Sequence, residues 1–155
     1  MKTFAFTILV AATAPAWADG TRLLTPVDYA SESSVVPKVR EACKVEDRLT
    51  ADVGNAMGGT TAEAGGDVVK VSIIDVMGVG GGAWSGPKAI SIRVDLMKGG
   101  KVLRTTRLTR TTNGGVFGGF TGTCAMLERD SAVLGKDVAK WVASESYATG
   151  EDGHK

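Results

Sequence analysis

The stretch AISIRVDLMKGGKVLRTTRLTRTT, residues 89–112, decides the fold class because it predicts a long β-hairpin. Between residues 89 and 97, apolar side chains alternate with Ser91, Arg93 and Asp95, which is the pattern of a half-buried strand. The glycine pair at 99–100 supplies the positive φ angles that a tight hairpin turn needs. Residues 102–112 return as the partner strand, and their threonines and arginines are typical of a solvated face or of an edge protected from aggregation.

Patterns on either side of the hairpin complete the fold prediction. Residues 68–77, VVKVSIIDVM, are β-branched and apolar on both faces, which predicts a central strand. Pro37 begins a helical pattern that reaches residue 57, with a break near residues 44–47. Residues 124–144 predict an amphipathic helix in which Gly135 allows a close approach. With residues 116–121 as a short fourth strand, the order predicts an α+β fold. We expect a two-layer sandwich, in which an antiparallel sheet of three or four strands packs against an N-terminal and a C-terminal helix.

Residues 1–18 have the parts of a secretory signal peptide. Lys2 gives a positive start, residues 4–14 form an apolar run, and Ala16-Trp17-Ala18 is a small-x-small cleavage site. The run is too short to span a bilayer, which needs roughly 20 residues. We therefore expect an exported chain with an N-terminal segment at 19–34, a single domain at 35–144 and a disordered tail at 145–155. Residues 23–29 of the N-terminal segment form either a short strand or a stretch lying on the domain.

The charge balance excludes two classes of partner. The chain has 18 basic and 17 acidic residues, and removal of Lys2 with the signal peptide makes the two counts equal. A balanced chain has no field to attract nucleic acid or anionic lipid. No second apolar run is long enough to cross a membrane, so we expect no membrane insertion after signal cleavage. The sequence does not indicate an oligomeric state.

Cys43 and Cys124 are the two cysteines of the chain. In an exported protein, two cysteines most simply pair with each other as a structural disulfide. Free thiols, an intermolecular bridge and a redox role remain as alternatives. A redox role would be favoured by a Cys-x-x-Cys motif, which the sequence lacks.

Two glycine-rich stretches are candidates for contact with a ligand or partner. GVGGGAWSGP, residues 78–87, has neither the Gly-Lys-Ser/Thr ending of a phosphate loop nor a following helix, so nucleotide binding is disfavoured. It is either a flexible hairpin loop or a contact loop in which Trp84 is the anchor. TTNGGVFGGFTGTC, residues 111–124, is either a hinge from strand to helix or a second contact, with an anion held at the start of the helix. The candidate contact residues are Gly80, Gly81, Gly82, Trp84, Phe117 and Phe120.

Catalytic and metal-binding residues are not evident. The single histidine, His154, is the penultimate residue, which disfavours a Ser/His or Cys/His pair. The tail residues EDGHK do not make a zinc site, and the acidic pair Glu46-Asp47 is typical of solvated charges at a helix end. We therefore assign no catalytic residue, no metal and no cofactor.

The segments VPKVREAC, GGGAWSGPK and TTRLTRTTNGGVFGGFTGTCAMLERDSAVLGKDVAKWV resemble an uncharacterised family of small exported proteins of Gram-negative bacteria. The shared features are a cysteine in the first helix, a glycine-rich loop between two strands, and a Gly-Gly-x-Phe-x-Gly-Phe stretch before a second cysteine and Leu-Gly-Lys-Asp. The resemblance covers residues 35–144. It implies a periplasmic location and a disulfide between Cys43 and Cys124, and it implies no activity.

Three functional hypotheses follow. The favoured one is a periplasmic domain that binds an envelope protein or a small ligand through its glycine-rich stretches, without catalysis. The second is a thiol-based redox or hydrolytic enzyme that uses Cys124. The third is a structural component of the envelope.

Overall fold

The computed structural model describes residues 21–64, 66–78, 86–113 and 122–144. In chain order, the elements are β1 (Arg22–Leu24), β2 (Asp28–Val35), α1 (Pro37–Cys43), α2 (Val45–Ala56), β3 (Thr61–Ala62), β4 (Val68–Met77), β5 (Lys88–Lys98), β6 (Lys101–Thr112) and α3 (Thr123–Ala143). The α+β class is confirmed, with helices near both ends of the described chain. The signal peptide and tail predicted for residues 1–18 and 145–155, and the strand predicted at 116–121, lie outside the described residues.

The sheet is mixed and has six strands, where the sequence predicts three or four antiparallel ones. Its order is β3-β1-β4-β5-β6, and β2 pairs with β4 beside β1. Strands β1 and β2 both run parallel to β4, and β3 runs parallel to β1. The additional strands are short or polar: β1 and β2 pair with β4, and β3 pairs with β1. The segment 19–34 therefore contributes β1 and most of β2 to the sheet.

The predicted hairpin forms the antiparallel half of the sheet. Strand β5 pairs with β6 from Lys88↔Thr112 to Lys98↔Lys101, and Gly99 and Gly100 adopt φ angles of 54° and 78° at its turn. Strand β4 pairs with β5 on one side and with β1 and β2 on the other. Its central position explains why both faces of 68–77 are apolar.

The helices form the second layer on one face of the sheet. Lys44 adopts a left-handed conformation with φ 44° and separates α1 from α2, which is the break predicted near residues 44–47. Helices α2 and α3 pack closely at Gly135, where an added Cβ would lie 2.7 Å from the carbonyl oxygen of Asp52. The core between the layers contains Leu49, Val53, Ile73, Ile90, Ile92, Leu127, Leu134 and Val138.

None of the helices in the described ranges is both long enough and apolar enough to cross a membrane.

Candidate functional site

The contact residues predicted from the sequence lie in two stretches outside the described residues, 79–85 and 114–121. The structure therefore does not place Gly80, Gly81, Gly82, Trp84, Phe117 or Phe120. It does place the residues at which each stretch leaves and rejoins the fold. These positions show where the two stretches are anchored.

Both glycine-rich stretches are anchored at one end of the sheet. The first leaves after β4 and returns at Lys88, and the second leaves after Thr112 and returns at α3. Lys88 pairs directly with Thr112, so the stretches share an anchor point. Gly78 is packed tightly there, because an added Cβ would lie 2.8 Å from the side chain of Val39 and 3.4 Å from that of Thr123. We call this part of the molecule, comprising Gly78, Lys88, Thr112 and the first turn of α3, the loop end.

The predicted disulfide joins Cys43 to Cys124 at the loop end. Cys43 is the last residue of α1, and Cys124 lies in the first turn of α3. Their Cα atoms are 5.0 Å apart, and Cys43 is buried. The bond therefore fastens the start of α3 to the N-terminal helix, directly beside the end of the second glycine-rich stretch.

A buried carboxyl group, that of Asp130, is the most unusual feature of the loop end. Asp130 is 4% exposed, and its Oδ1 accepts a hydrogen bond of 2.6 Å from the Thr112 hydroxyl. Its Oδ2 is buried and has no hydrogen-bond partner among the described residues. Burial raises the pKa of Asp130, against the lowering effects of the Thr112 hydrogen bonds and the Arg110 charge. Such an unpaired buried acceptor costs about 1–3 kcal/mol.

Arg110 is a charged neighbour of Asp130, and two further charged groups of this region, Lys88 and Asp137, are buried. Arg110 Nε donates to Asp137 Oδ2 at 2.6 Å, and Asp137 is also buried. Lys88 is completely buried, and its Nζ donates to the Gly86 carbonyl oxygen at 3.1 Å. Lysine is rarely buried without partners. We refer to Lys88, Arg110, Thr112, Asp130 and Asp137 as the loop-end cluster.

A second buried polar contact lies on the neighbouring face of α3. Ser131 is fully buried, and its hydroxyl donates to Asp52 Oδ2 of α2 at 2.6 Å. This contact ties the two helices together close to Gly135. The Ser131 hydroxyl and the Asp52 carboxylate are partners for each other, and their contact helps to hold α2 against α3. Asp130 differs from them in having a buried oxygen without such a partner in the described residues.

The loop-end cluster does not follow from the sequence pattern, although the spacing of its residues is compatible with it. Asp130 and Asp137 are seven residues apart, so they lie on the same side of α3 next to the apolar stripe. Arg110 and Thr112 are two residues apart and share one face of β6. Charged residues at such spacings usually face solvent. Only the packing of α3 on β6 shows that Asp130 and Asp137 are buried and that they contact Thr112 and Arg110.

The described residues do not support a metal site or a free thiol. Among them, no group of three or more His, Cys, Asp or Glu side chains could hold a metal ion. The sulfur of Cys124 is bonded to that of Cys43. The chemistry present in the described part of the loop end is hydrogen bonding and charge recognition.

No protein-family model matches this sequence, and no curated protein matches it either. A solved structure described only as an uncharacterized protein is 18% identical with a TM-score of 0.46, and the match covers 63% of each chain. The match thus spans less than two thirds of that protein's length. A structure described as a putative lipoprotein from Caulobacter crescentus CB15 is 12% identical with a TM-score of 0.40, over 74% of this chain and 91% of that one. At these TM-scores, neither likeness establishes a shared fold or function.

The fold and the disulfide define the class of protein. It is a disulfide-linked α+β domain in which a mixed six-stranded sheet is packed against helices. One end of the sheet combines the disulfide, the loop-end cluster and the anchors of both glycine-rich stretches.

Proposed function

We propose that the protein is an exported periplasmic domain that binds an envelope protein or a small ligand through its loop end, without catalysing a reaction. Two features support export. Residues 1–18 have the pattern of a signal peptide, and disulfides such as Cys43–Cys124 persist in oxidising compartments.

The observation that carries the binding proposal is the Oδ2 of Asp130, which has no partner in the described ranges and lies beside Thr112, where the second glycine-rich stretch leaves the fold. A buried acceptor without a partner lowers stability. Groups that lower stability and have a perturbed pKa are concentrated at functional sites. Asp130 lies beside Thr112. The group that lowers stability is therefore at the end of the molecule from which both stretches leave. Binding loops are commonly held in this way by a rigid scaffold.

Two other functions are the alternatives. A redox or hydrolytic enzyme using Cys124 would first require reduction of the bond to Cys43, because the thiolate is the reactive form. A structural component of the envelope would be expected to self-associate through surfaces that do not depend on the glycine-rich stretches. The binding proposal differs from the enzyme in requiring an intact disulfide, and from the structural component in requiring an intact loop end.

The experiment that tests the proposal compares Trp84→Ala with Val133→Ala in the native periplasm. Val133 is an apolar residue, 41% exposed on α3, so its variant is a control for loss of an exposed apolar side chain elsewhere. After cross-linking in cells, native mass spectrometry measures the fraction of the protein in complexes. We expect Trp84→Ala to lower that fraction at least about tenfold, as for loss of an interface anchor, with an unchanged melting temperature, and Val133→Ala to have no effect. Equal losses in both variants would refute the loop end as the contact. Alkylation of Cys124 in the native protein would instead support the thiol enzyme.

A further inference from the structure

Strand β6 is a long edge strand. It has twelve residues and is the last strand in the order of the sheet, with pairing to β5 along its full length. At about 3.4 Å per residue, it extends roughly 40 Å. No other described strand pairs with its outer side. The other edge strands of the described sheet are β3, with two residues, and β2, with eight residues that pair with β4 across a register shift. Strand β6 is therefore the longest edge of the described sheet.

The protection on β6 comes from its charged side chains, and not from a short length, proline or a covering element among the described residues. Natural edge strands are commonly short, interrupted by proline, bulged or covered. Residues 101–112 contain no proline, and the single register shift in the β5–β6 pair lies next to the hairpin turn. Beside that turn, Val102 and Leu103 are 54% and 58% exposed. The strand therefore combines an open backbone edge with two accessible apolar side chains.

The charge on β6 is of one sign. The strand carries Lys101, Arg104, Arg107 and Arg110 and has no acidic residue. Two of these cations are held by α3: Arg104 donates to the carbonyl oxygens of Trp141 and Ser144, and Arg110 donates to Asp137.

Arg107 is on the other face of β6, where it lies directly opposite Arg93. Glu32 and Asp95 form ion pairs with Arg93. The side chain of Arg107 has no ion pair or hydrogen bond among the described residues. Like charges that face each other across strands are destabilising, so an incoming carboxylate at Arg107 would remove an unfavourable interaction.

This charge distribution selects the occupant of the edge. A second copy of the chain would place two sets of four cations on adjacent strands with no acidic residue between them, which opposes pairing. An acidic strand would meet complementary charge instead. We propose that β6 binds an extended, acidic segment of another polypeptide by strand addition. A carboxylate of the segment pairs with Arg107, and an apolar side chain about four residues away packs on Val102 and Leu103. This surface is separate from the loop end, so either proposal can fail without the other.

The test uses three short synthetic peptides and the mature protein. The first peptide alternates valine and threonine with glutamates, the second replaces glutamate by lysine, and the third is the acidic peptide with N-methylated backbone amides. Hydrogen exchange measured by mass spectrometry reports which amides are protected. We expect the acidic peptide to bind with slowed exchange in residues 101–112 and weaker affinity at high salt, and the other two to bind much more weakly. Equal binding of the acidic and lysine peptides, or protection elsewhere, would overturn the proposal.

Matched variants separate the contact at Arg107 from a general charge effect. Arg107→Glu and Arg129→Glu change the net charge equally, and Arg129 is an exposed residue of α3. Arg107→Glu should weaken the acidic peptide about tenfold or more, whereas Arg129→Glu should change affinity less than about twofold. An equal effect of both variants would show that the peptide responds only to the net charge of the protein, and it would refute strand addition at β6.

The tail of the chain is the main competing occupant. Residues 145–155 include Glu145, Glu151 and Asp152, and they follow Ser144, whose carbonyl oxygen is held by Arg104 of β6. Truncation after Ser144 distinguishes the two. An unchanged affinity for the acidic peptide would support an edge open to another polypeptide. Binding that occurs only in the truncated protein would show that the tail occupies β6 and would overturn the proposal.

Discussion

Replacing Asp130 by asparagine should stabilise the folded domain at neutral pH. The change keeps the size of the side chain and an oxygen that can accept the Thr112 hydrogen bond. It removes the negative charge that a carboxylate would place on the buried, unpaired Oδ2. The unpaired acceptor costs about 1–3 kcal/mol, and the asparagine amide nitrogen at the same place would retain part of that cost. We therefore expect a gain of about 1 kcal/mol in the free energy of unfolding at pH 7.

The gain should depend on pH, because the folded-state pKa of Asp130 is raised by burial. A carboxyl group with a raised folded pKa contributes stability that is fully present below its unfolded pKa of about 3.9. That contribution is lost as the pH rises through the folded pKa. At pH 7, the asparagine variant avoids the loss. Near pH 3, the wild-type carboxyl group is protonated in both states, and the advantage of asparagine should disappear.

Urea unfolding with the disulfide intact, followed at pH 3 and pH 7, measures both values. Asp137→Asn is the matched control, because Asp137 is equally buried on the same helix but is ion-paired with Arg110. It should lose about 1.5–3 kcal/mol at pH 7, the usual value of a hydrogen bond to a charged group. Destabilisation by Asp130→Asn at pH 7, or the same gain at both pH values, would refute the assignment of Asp130 as a buried carboxyl group that lowers stability.

Three further predictions concern packing and covalent structure. Replacing both Cys43 and Cys124 by alanine should lower the free energy of unfolding by about 4 kcal/mol in urea titrations. The reason is the long loop that the disulfide closes, with a sequence separation of 81 residues. A loss below about 1 kcal/mol would contradict this prediction. Gly135→Ala should lower the free energy of unfolding by about 1–3 kcal/mol, since its Cβ would meet the Asp52 backbone. Gly122 has open space around it, so Gly122→Ala should differ little from wild type in the same titration. Arg104→Ala should speed hydrogen exchange at the C-terminal end of α3, because Arg104 holds two carbonyl oxygens there and stacks 4.6 Å from the Trp141 ring centroid. Unchanged exchange would show that this end is held by other contacts.

The hairpin and the C-terminal helix were predictable because their information is local. Strands β5 and β6 follow each other through a two-glycine turn, so alternation and turn chemistry agree. The apolar period of α3 is likewise contained in one segment. Strand β2, with the sequence DYASESSV, has no such pattern. It forms a strand because it pairs with β4, which follows only after α1, α2 and β3 in the chain. The local sequence of β2 does not predict that pairing.

The disulfide was predictable for a different reason: two cysteines allow only one intramolecular pairing. The loop-end cluster was not predictable, since Arg110 and Asp137 are 27 residues apart and Thr112 and Asp130 are 18 apart. Each taken alone resembles a solvated side chain. Their contacts, and the burial of Asp130 and Asp137, result from the antiparallel packing of α3 on β6, which also brings Arg104 to Trp141. The identity of the candidate site thus depends on tertiary contacts that a pattern along the chain does not contain.

The bond between Cys43 and Cys124 closes a covalent ring that contains four of the six strands and both glycine-rich stretches. A protease that cuts either stretch therefore opens the ring at one point without releasing a fragment. The nicked protein would remain a single species on a non-reducing gel and separate into two fragments only after reduction. Either stretch can thus be cut on its own without covalently separating the strands that it connects, whereas cutting both would release β5 and β6.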